Sequence, residues 1–94
     1  MNLASEFIFD NFQDPMKIHA ELFKMIRSTG FVTYGDLLYM IEQKDNMVYP
    51  KEYYDYGWTN LWEAKVEPFK DEGDWILRMP KIKRLTMKKE LFKY

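Results

Sequence analysis

Two helix signals joined by the short link GFV, residues 30–32, place the strongest constraint on the fold. The first signal, DPMKIHAELFKMIRSTG, offers Asp14 as N-cap and Pro15 at the first helical position, where the missing N–H costs nothing. Gly30 supplies the left-handed residue that ends a helix. Between these ends, apolar residues recur at the helical spacing i, i+4, i+7 and i+8. They are Ile18, Leu22, Met25 and Ile26.

The second signal, VTYGDLLYMIEQKDN, predicts a helix whose N-cap is Thr33. Asp36 follows three residues later, where a capping box normally has Glu or Gln, so the predicted box is imperfect. Val32 and Leu37 occupy the two positions of a hydrophobic staple. Because the connecting segment is so short, we expect the two helices to pack as a tight pair.

The next segment, MVYPKEYYDYGW, interrupts the helical spacing and predicts a loop or a short extended piece. Pro50 restricts the residue before it, and Gly57 can adopt a positive φ. We expect Trp58 to lie in the core with Leu61. The tyrosines just before them, at 53 and 54, are expected to face outward.

Two alternating runs, EAKVEPF and DWILRMP, predict an antiparallel hairpin with KDEGD as its turn. Pro68 and Pro80 indicate strand ends or a sheet edge. We therefore expect one α+β domain over residues 1–94, in which a two-helix N-terminal unit packs on a small antiparallel β-hairpin. Residues 1–13 and 86–94 are expected at its periphery, with a short helix within the latter.

The side chains that most catalytic and metal sites require are scarce. Without cysteine, disulfides, thiol catalysis and zinc–thiolate sites are excluded, and His19 is the only histidine. The four glycines are scattered, so no phosphate-binding loop is recognisable. The acidic turn 71–74 lacks the ligand spacing of a calcium loop. We expect no enzyme, no cofactor, no metal site and, without an apolar run of about 20 residues, no membrane contact.

Charge is divided unevenly along the chain. Residues 1–80 carry 8 basic and 14 acidic side chains, a formal charge of −6, whereas residues 81–94 carry 6 basic and one acidic, or +5. Such a tail can bind nucleic acid, or it can pack on its own acidic body. The candidate nucleic-acid-binding residues are Lys81, Lys83, Arg84, Lys88 and Lys89.

The element order is also winged-helix-like, which makes a small DNA-binding regulator the alternative interpretation. A recognition helix should carry basic side chains that neutralise phosphates. Residues 33–43 contain none and include Asp36 and Glu42. The electrostatics therefore argue against a DNA contact by the helix pair.

Aromatic residues favour a protein-binding surface instead. Seven Tyr, three Trp and seven Met are more than a small core can hide, and interfaces favour these types. We predict a contact surface of aromatic and acidic side chains, with the oligomeric state left open. Its candidate residues are Tyr49, Tyr53, Tyr54, Trp62, Asp71, Glu72 and Asp74.

Four stretches, FVTYGDLLYMI, YGWTNL, AKV and GDWILRMPK, resemble in series the motifs of small proteins of Gram-positive bacteriophages and prophages. Those proteins have a helix opening hydrophobic-Thr-x-x-Asp-Leu, a Tyr-Gly-Trp-Thr-x-Leu block, an Ala-x-Val strand and a strand ending in Leu-Pro. The matching positions are Val32, Thr33, Asp36, Leu37, Tyr56, Gly57, Trp58, Thr59, Leu61, Ala64, Val66, Leu77 and Pro80. The chain departs from the pattern at Trp62, Glu63 and Met79 and in its basic tail.

The resemblance implies a phage or mobile-element origin and a location in the cytoplasm of a bacterial host. Small phage proteins of this kind often bind a host or virion protein, and anti-CRISPR proteins inhibit a defence nuclease in this way. The expected function is therefore a non-enzymatic protein that binds a host protein and inhibits it. A winged-helix-like regulator and a virion component are the alternatives.

Overall fold

A computed structural model describes residues 3–42, 49–70 and 73–85 of the chain. This part of the chain forms two helices, one 3-10 helix and six strands, which confirms the predicted α+β class. In chain order they are β1 (Glu6–Phe9), α1 (Gln13–Thr29), β2 (Val32–Thr33), α2 (Tyr34–Glu42), the 3-10 helix Lys51–Tyr54, β3 (Tyr56–Trp58), β4 (Lys65–Phe69), β5 (Asp74–Arg78) and β6 (Lys83–Arg84). The helix expected in the tail lies outside the described residues.

The predicted hairpin is present, and a third strand extends it into sheet A, with the order β1–β5–β4. The hairpin register pairs Lys65 with Arg78. On the other side of β5, Glu6 is also opposite Arg78. Part of the segment 1–13, which was expected at the periphery, thus forms an edge strand of sheet A, and the phenylalanines of β1 pack against the core. Pro68 lies in the edge strand β4, where its missing N–H breaks no ladder bond.

Arg78 joins the three strands of sheet A through its side chain. Its guanidinium forms an ion pair with Glu6 on β1 and another, at 2.5 Å, with Glu67 on β4. Because all three side chains are about half exposed, the pairs add little stability. Their consequence is a defined register across the sheet.

A second small sheet, sheet B, has the order β2–β3–β6 and was not predicted. Gly57 lies in its central strand, and the expectation of a positive φ there is wrong. A Cβ on Gly57 would stand 2.0 Å from the Val32 carbonyl oxygen, so glycine is needed because two backbones approach closely. With these extra strands, the winged-helix-like order is not confirmed.

Helix α1 begins slightly earlier than predicted and ends as predicted. Its first residue is Gln13, so Asp14 is not the N-cap and lies inside the first turn. The Asp14 backbone N–H donates to Asn11 Oδ1 at 2.8 Å instead. At the other end, Gly30 has φ 91° and its N–H donates to the Ile26 carbonyl, which confirms the left-handed stop.

Helix α2 opens with a reciprocal capping box built from Thr33 and Asp36. The Thr33 N–H donates to Asp36 Oδ2 and the Asp36 N–H donates to Thr33 Oγ1, both at 3.1 Å. Asp36 thus takes the position that Glu or Gln normally has. Val32 and Leu37, the staple residues, are both fully buried.

We expect Asp36→Ala to lower the free energy of unfolding by about 1 kcal/mol, because it removes the acceptor for the Thr33 N–H. Urea denaturation followed by far-UV circular dichroism measures this change. Asp36→Asn is the control, since it keeps an oxygen acceptor and removes only the charge. An alanine variant as stable as the wild type would contradict the role of the box.

The core lies between the helix pair and the two sheets. Trp58 is only 1% exposed and sits at its centre, and its indole N–H donates to the Pro80 carbonyl at 2.8 Å. Leu61 is buried with it, so the expected core positions of both residues are confirmed. The cluster consists of Ile18, Leu22, Val32, Tyr34, Leu37, Trp58, Leu61, Leu77 and Met79.

Candidate functional site

Tyr49 does not belong to a contact surface, contrary to the sequence-based prediction. This side chain is only 8% exposed. Its hydroxyl donates to Glu42 Oε2 at 3.1 Å, and its ring stacks on Tyr53. Burial raises the pKa of Tyr49, and the bond to Glu42 raises it further. Tyr49 is therefore a packing residue.

The next two predicted contact residues differ in position. Tyr53 is half-buried, and its ring meets the buried Tyr34 ring edge-on with 5.2 Å between centroids. Tyr54 is 37% exposed and lies over Gly35, where an added Cβ would stand 2.4 Å from its ring. The outward position expected for the pair is thus met by Tyr54, whereas Tyr53 faces largely into the fold.

Trp62 is the most exposed large apolar side chain in the described ranges, at 86%. It lies on the turn between β3 and β4, residues 59–64, which we name the Trp62 loop. Leu61 is buried beside it, and the Ala64 N–H donates to the Leu61 carbonyl at 3.0 Å. The turn is thus held to the core at Leu61 while the neighbouring indole projects into solvent.

An open groove of about 440 Å³ lies between the Trp62 loop and the segment that leads into β6. We name it the Trp62 groove. The bond from the Trp58 indole to the Pro80 carbonyl connects its two walls. The residues that line it are Trp58, Asn60, Glu63, Pro80, Lys81, Ile82 and Lys83.

Residues of the predicted protein-binding site and of the predicted nucleic-acid-binding site lie next to each other at this groove. Its loop carries Trp62, predicted to bind protein, while Lys81 and Lys83 of the opposite wall were predicted to bind nucleic acid. Arg84 follows in β6 and is exposed. Sequence reasoning missed Asn60, Glu63, Pro80 and Ile82 as lining residues, because no local pattern shows that these two segments meet.

The predicted acidic residues are not shown to share this site. Asp74 is half-buried at the start of β5 and does not line the groove. Of the others, Asp71, Glu72, Lys88 and Lys89 lie outside the described residues. The described residues place Trp62 on a loop opposite a basic wall, and the aromatic and acidic surface expected from the sequence stays a prediction.

Three further features of the described residues bear on function. No group of three or more His, Cys, Asp or Glu side chains there is arranged to hold a metal ion. His19 lies on α1 with its ring 6.4 Å from that of Phe23. Neither α1 nor α2 combines the length and the apolar character that crossing a membrane requires.

The Trp62 side chain is not among the lining residues, and it stands on the loop that supplies Asn60 and Glu63 to one wall of the groove. This region therefore presents an exposed indole on the loop and exposed lysines on the opposite wall. Comparison of the chain with known protein families, with curated protein sequences and with solved structures gives no match. The assignment of a function therefore rests on the geometry of this chain.

Proposed function

We propose that the chain is a non-enzymatic protein of phage or mobile-element origin that binds a host protein through the Trp62 loop and inhibits it. The exposure of Trp62 is the observation that carries this proposal. Burying an exposed indole contributes on the order of 5 kcal/mol before the cost of association is subtracted. Tryptophan is also the residue type most often found at binding hot spots.

The pattern of matches to the phage motif series supports the same proposal. The matched positions Thr33 and Asp36 cap α2, and Trp58 lies in the core, so the shared motif describes a scaffold. Two of the departures, Trp62 and Glu63, stand together on the exposed turn. A common scaffold with a variable loop is the arrangement expected of proteins that bind different partners.

A pull-down from the lysate of a Gram-positive host tests the proposal. We expect Trp62→Ala to reduce capture of the specific partner by roughly 30-fold, the effect of losing a hot spot of about 2 kcal/mol. Tyr39→Ala is the matched control, because it removes another exposed aromatic ring from a different surface, on α2. Equal loss with both variants, or capture unchanged by Trp62→Ala, would reject the Trp62 loop as the binding site.

Nucleic-acid binding is the second candidate function. The exposure of Lys81, Lys83 and Arg84 favours it. An exposed indole beside basic side chains also resembles the stacking arrangement of proteins that bind single strands. Helix α2 carries no Lys or Arg, so a winged-helix contact through that helix has no support.

A further inference from the structure

The basic wall of the Trp62 groove carries positive charge that no carboxylate among the described residues pairs with. Lys81 and Lys83 line the groove, and both are exposed, as is Arg84 beside them. The ion pairs found among the described residues both belong to Arg78. None of these three cations therefore has a carboxylate partner within the described ranges.

The remaining lining divides into an apolar part and a polar wall. Trp58, Pro80 and Ile82 contribute apolar surface, while Asn60 and Glu63 contribute the polar groups opposite the lysines. Lys83 stands two positions after Lys81, the spacing of side chains on one side of an extended backbone. An extended chain with acidic residues at alternate positions matches this spacing.

The carboxylate of Glu63 favours one of two kinds of acidic ligand, a nucleic-acid strand or an acidic peptide, over the other. A nucleic-acid strand carries a phosphate on every nucleotide and would bring negative charge against the Glu63 carboxylate as well as toward the lysines. A peptide has backbone N–H groups between its acidic side chains, and Glu63 and Asn60 can accept hydrogen bonds from them. The lining thus fits an acidic peptide better than a nucleic acid.

We propose that the segment of the host protein that enters the Trp62 groove is an extended acidic peptide. This inference rests on the proposed function. Its carboxylates pair with Lys81 and Lys83, and an apolar side chain next to them packs on the Trp62 indole. Exposed pairs of this kind mainly direct association and specificity, while the indole contributes most of the affinity.

A peptide display selection on the full 94-residue chain tests the inference. Random peptides are selected for binding, with Trp62→Ala as the counter-selection target, so that only peptides requiring the indole are retained. We expect the retained peptides to be enriched in Asp and Glu beside an aromatic or aliphatic residue. A synthetic peptide of the most enriched sequence should bind about tenfold more weakly after replacement of its acids by Asn and Gln, and more weakly at high salt.

Charge reversal on the protein gives the matched comparison. The double variant Lys81→Glu/Lys83→Glu should weaken binding of this peptide by at least about tenfold. Lys17→Glu/Lys24→Glu changes the net charge equally at exposed sites on α1 and should leave binding nearly unchanged. Circular dichroism checks that both variants remain folded.

The outcomes separate this inference from the proposed function. Selected peptides that require Trp62 but are neutral or basic would overturn the acidic partner and leave the proposed function standing. A selection that yields no peptide requiring Trp62 would overturn the inference, while the pull-down with Trp62→Ala decides the proposed function separately. Tighter binding of a dT10 oligonucleotide than of the peptide, lost in Lys81→Glu/Lys83→Glu, would assign the groove to nucleic acid instead.

Discussion

Replacing Trp58 with alanine is expected to lower the free energy of unfolding by about 3–5 kcal/mol. The side chain is almost fully buried in the core, so its removal leaves a large cavity and a Pro80 carbonyl without its donor. A domain of this size has only about 5–15 kcal/mol of stability in total. We therefore expect a partly unfolded variant near 37 °C, measurable by urea denaturation and by its melting temperature.

Two controls separate the causes of this loss. Trp58→Phe keeps most of the apolar contacts and removes the N–H donor, so we expect a smaller loss of about 1–2 kcal/mol. Trp62→Ala removes the same residue type from an exposed turn and should change stability by less than about 0.5 kcal/mol. If Trp58→Ala were as stable as Trp62→Ala, the central position of Trp58 in the core would be wrong.

Gly57→Ala is expected to have the second large effect, a loss of about 3 kcal/mol in the free energy of unfolding. The new methyl group would stand 2.0 Å from the Val32 carbonyl oxygen and 2.8 Å from Thr33 Cα. Both obstacles are backbone atoms of the paired strand β2, so the methyl group can be accommodated only if β3 moves away. Urea denaturation measures the loss, and near-UV circular dichroism should show altered packing around Trp58.

Gly35→Ala is the matched control for this substitution. Its methyl group meets the ring of Tyr54, a partly exposed side chain that can rotate away. Alanine is also favoured over glycine inside a helix by about 1 kcal/mol, which offsets the cost of moving the ring. We expect a change of less than about 1 kcal/mol, and equal losses for the two glycines would refute the distinction between backbone and side-chain obstacles.

The parts of the fold that could be predicted are those with local causes. Both helices have end signals within a few residues of their termini, and the hairpin has alternation and a turn between its strands. Gly30 and the Thr33–Asp36 box were predicted in detail because each acts over three or four residues. The start of α1 was misplaced because Asn11, rather than Asp14, supplies the acceptor at that end.

Sheet B and strand β1 could not be predicted because their pairing is non-local. A strand of two residues, such as β2, is too short to show alternation. The sequence indicates that position 57 requires glycine, but a glycine at this place suggests a turn and not the close approach of two backbones. That approach depends on Val32, which lies 25 positions earlier in the chain.

The candidate site could be predicted only in part, because non-local contacts bring its two walls together. Trp62 was identified by residue type, and Lys81 and Lys83 by the charge of the tail, but nothing local places them on one groove. The groove joins two segments about 20 residues apart. Tyr49 is of a residue type common at interfaces, but its side chain is buried and its hydroxyl donates to Glu42.

The pairing of β1 with β5 has a consequence for how the protein is made. Glu6 and its partner Arg78 are separated by 72 positions, so the pairing of β1 with β5 closes a long loop of the chain. At roughly 5–20 residues per second, the ribosome adds Arg78 on the order of 4–14 s after Glu6. During that interval β1 lacks its native neighbour, and helix formation precedes completion of the sheet. Sheet A is therefore expected to assemble only after β5 has been synthesised.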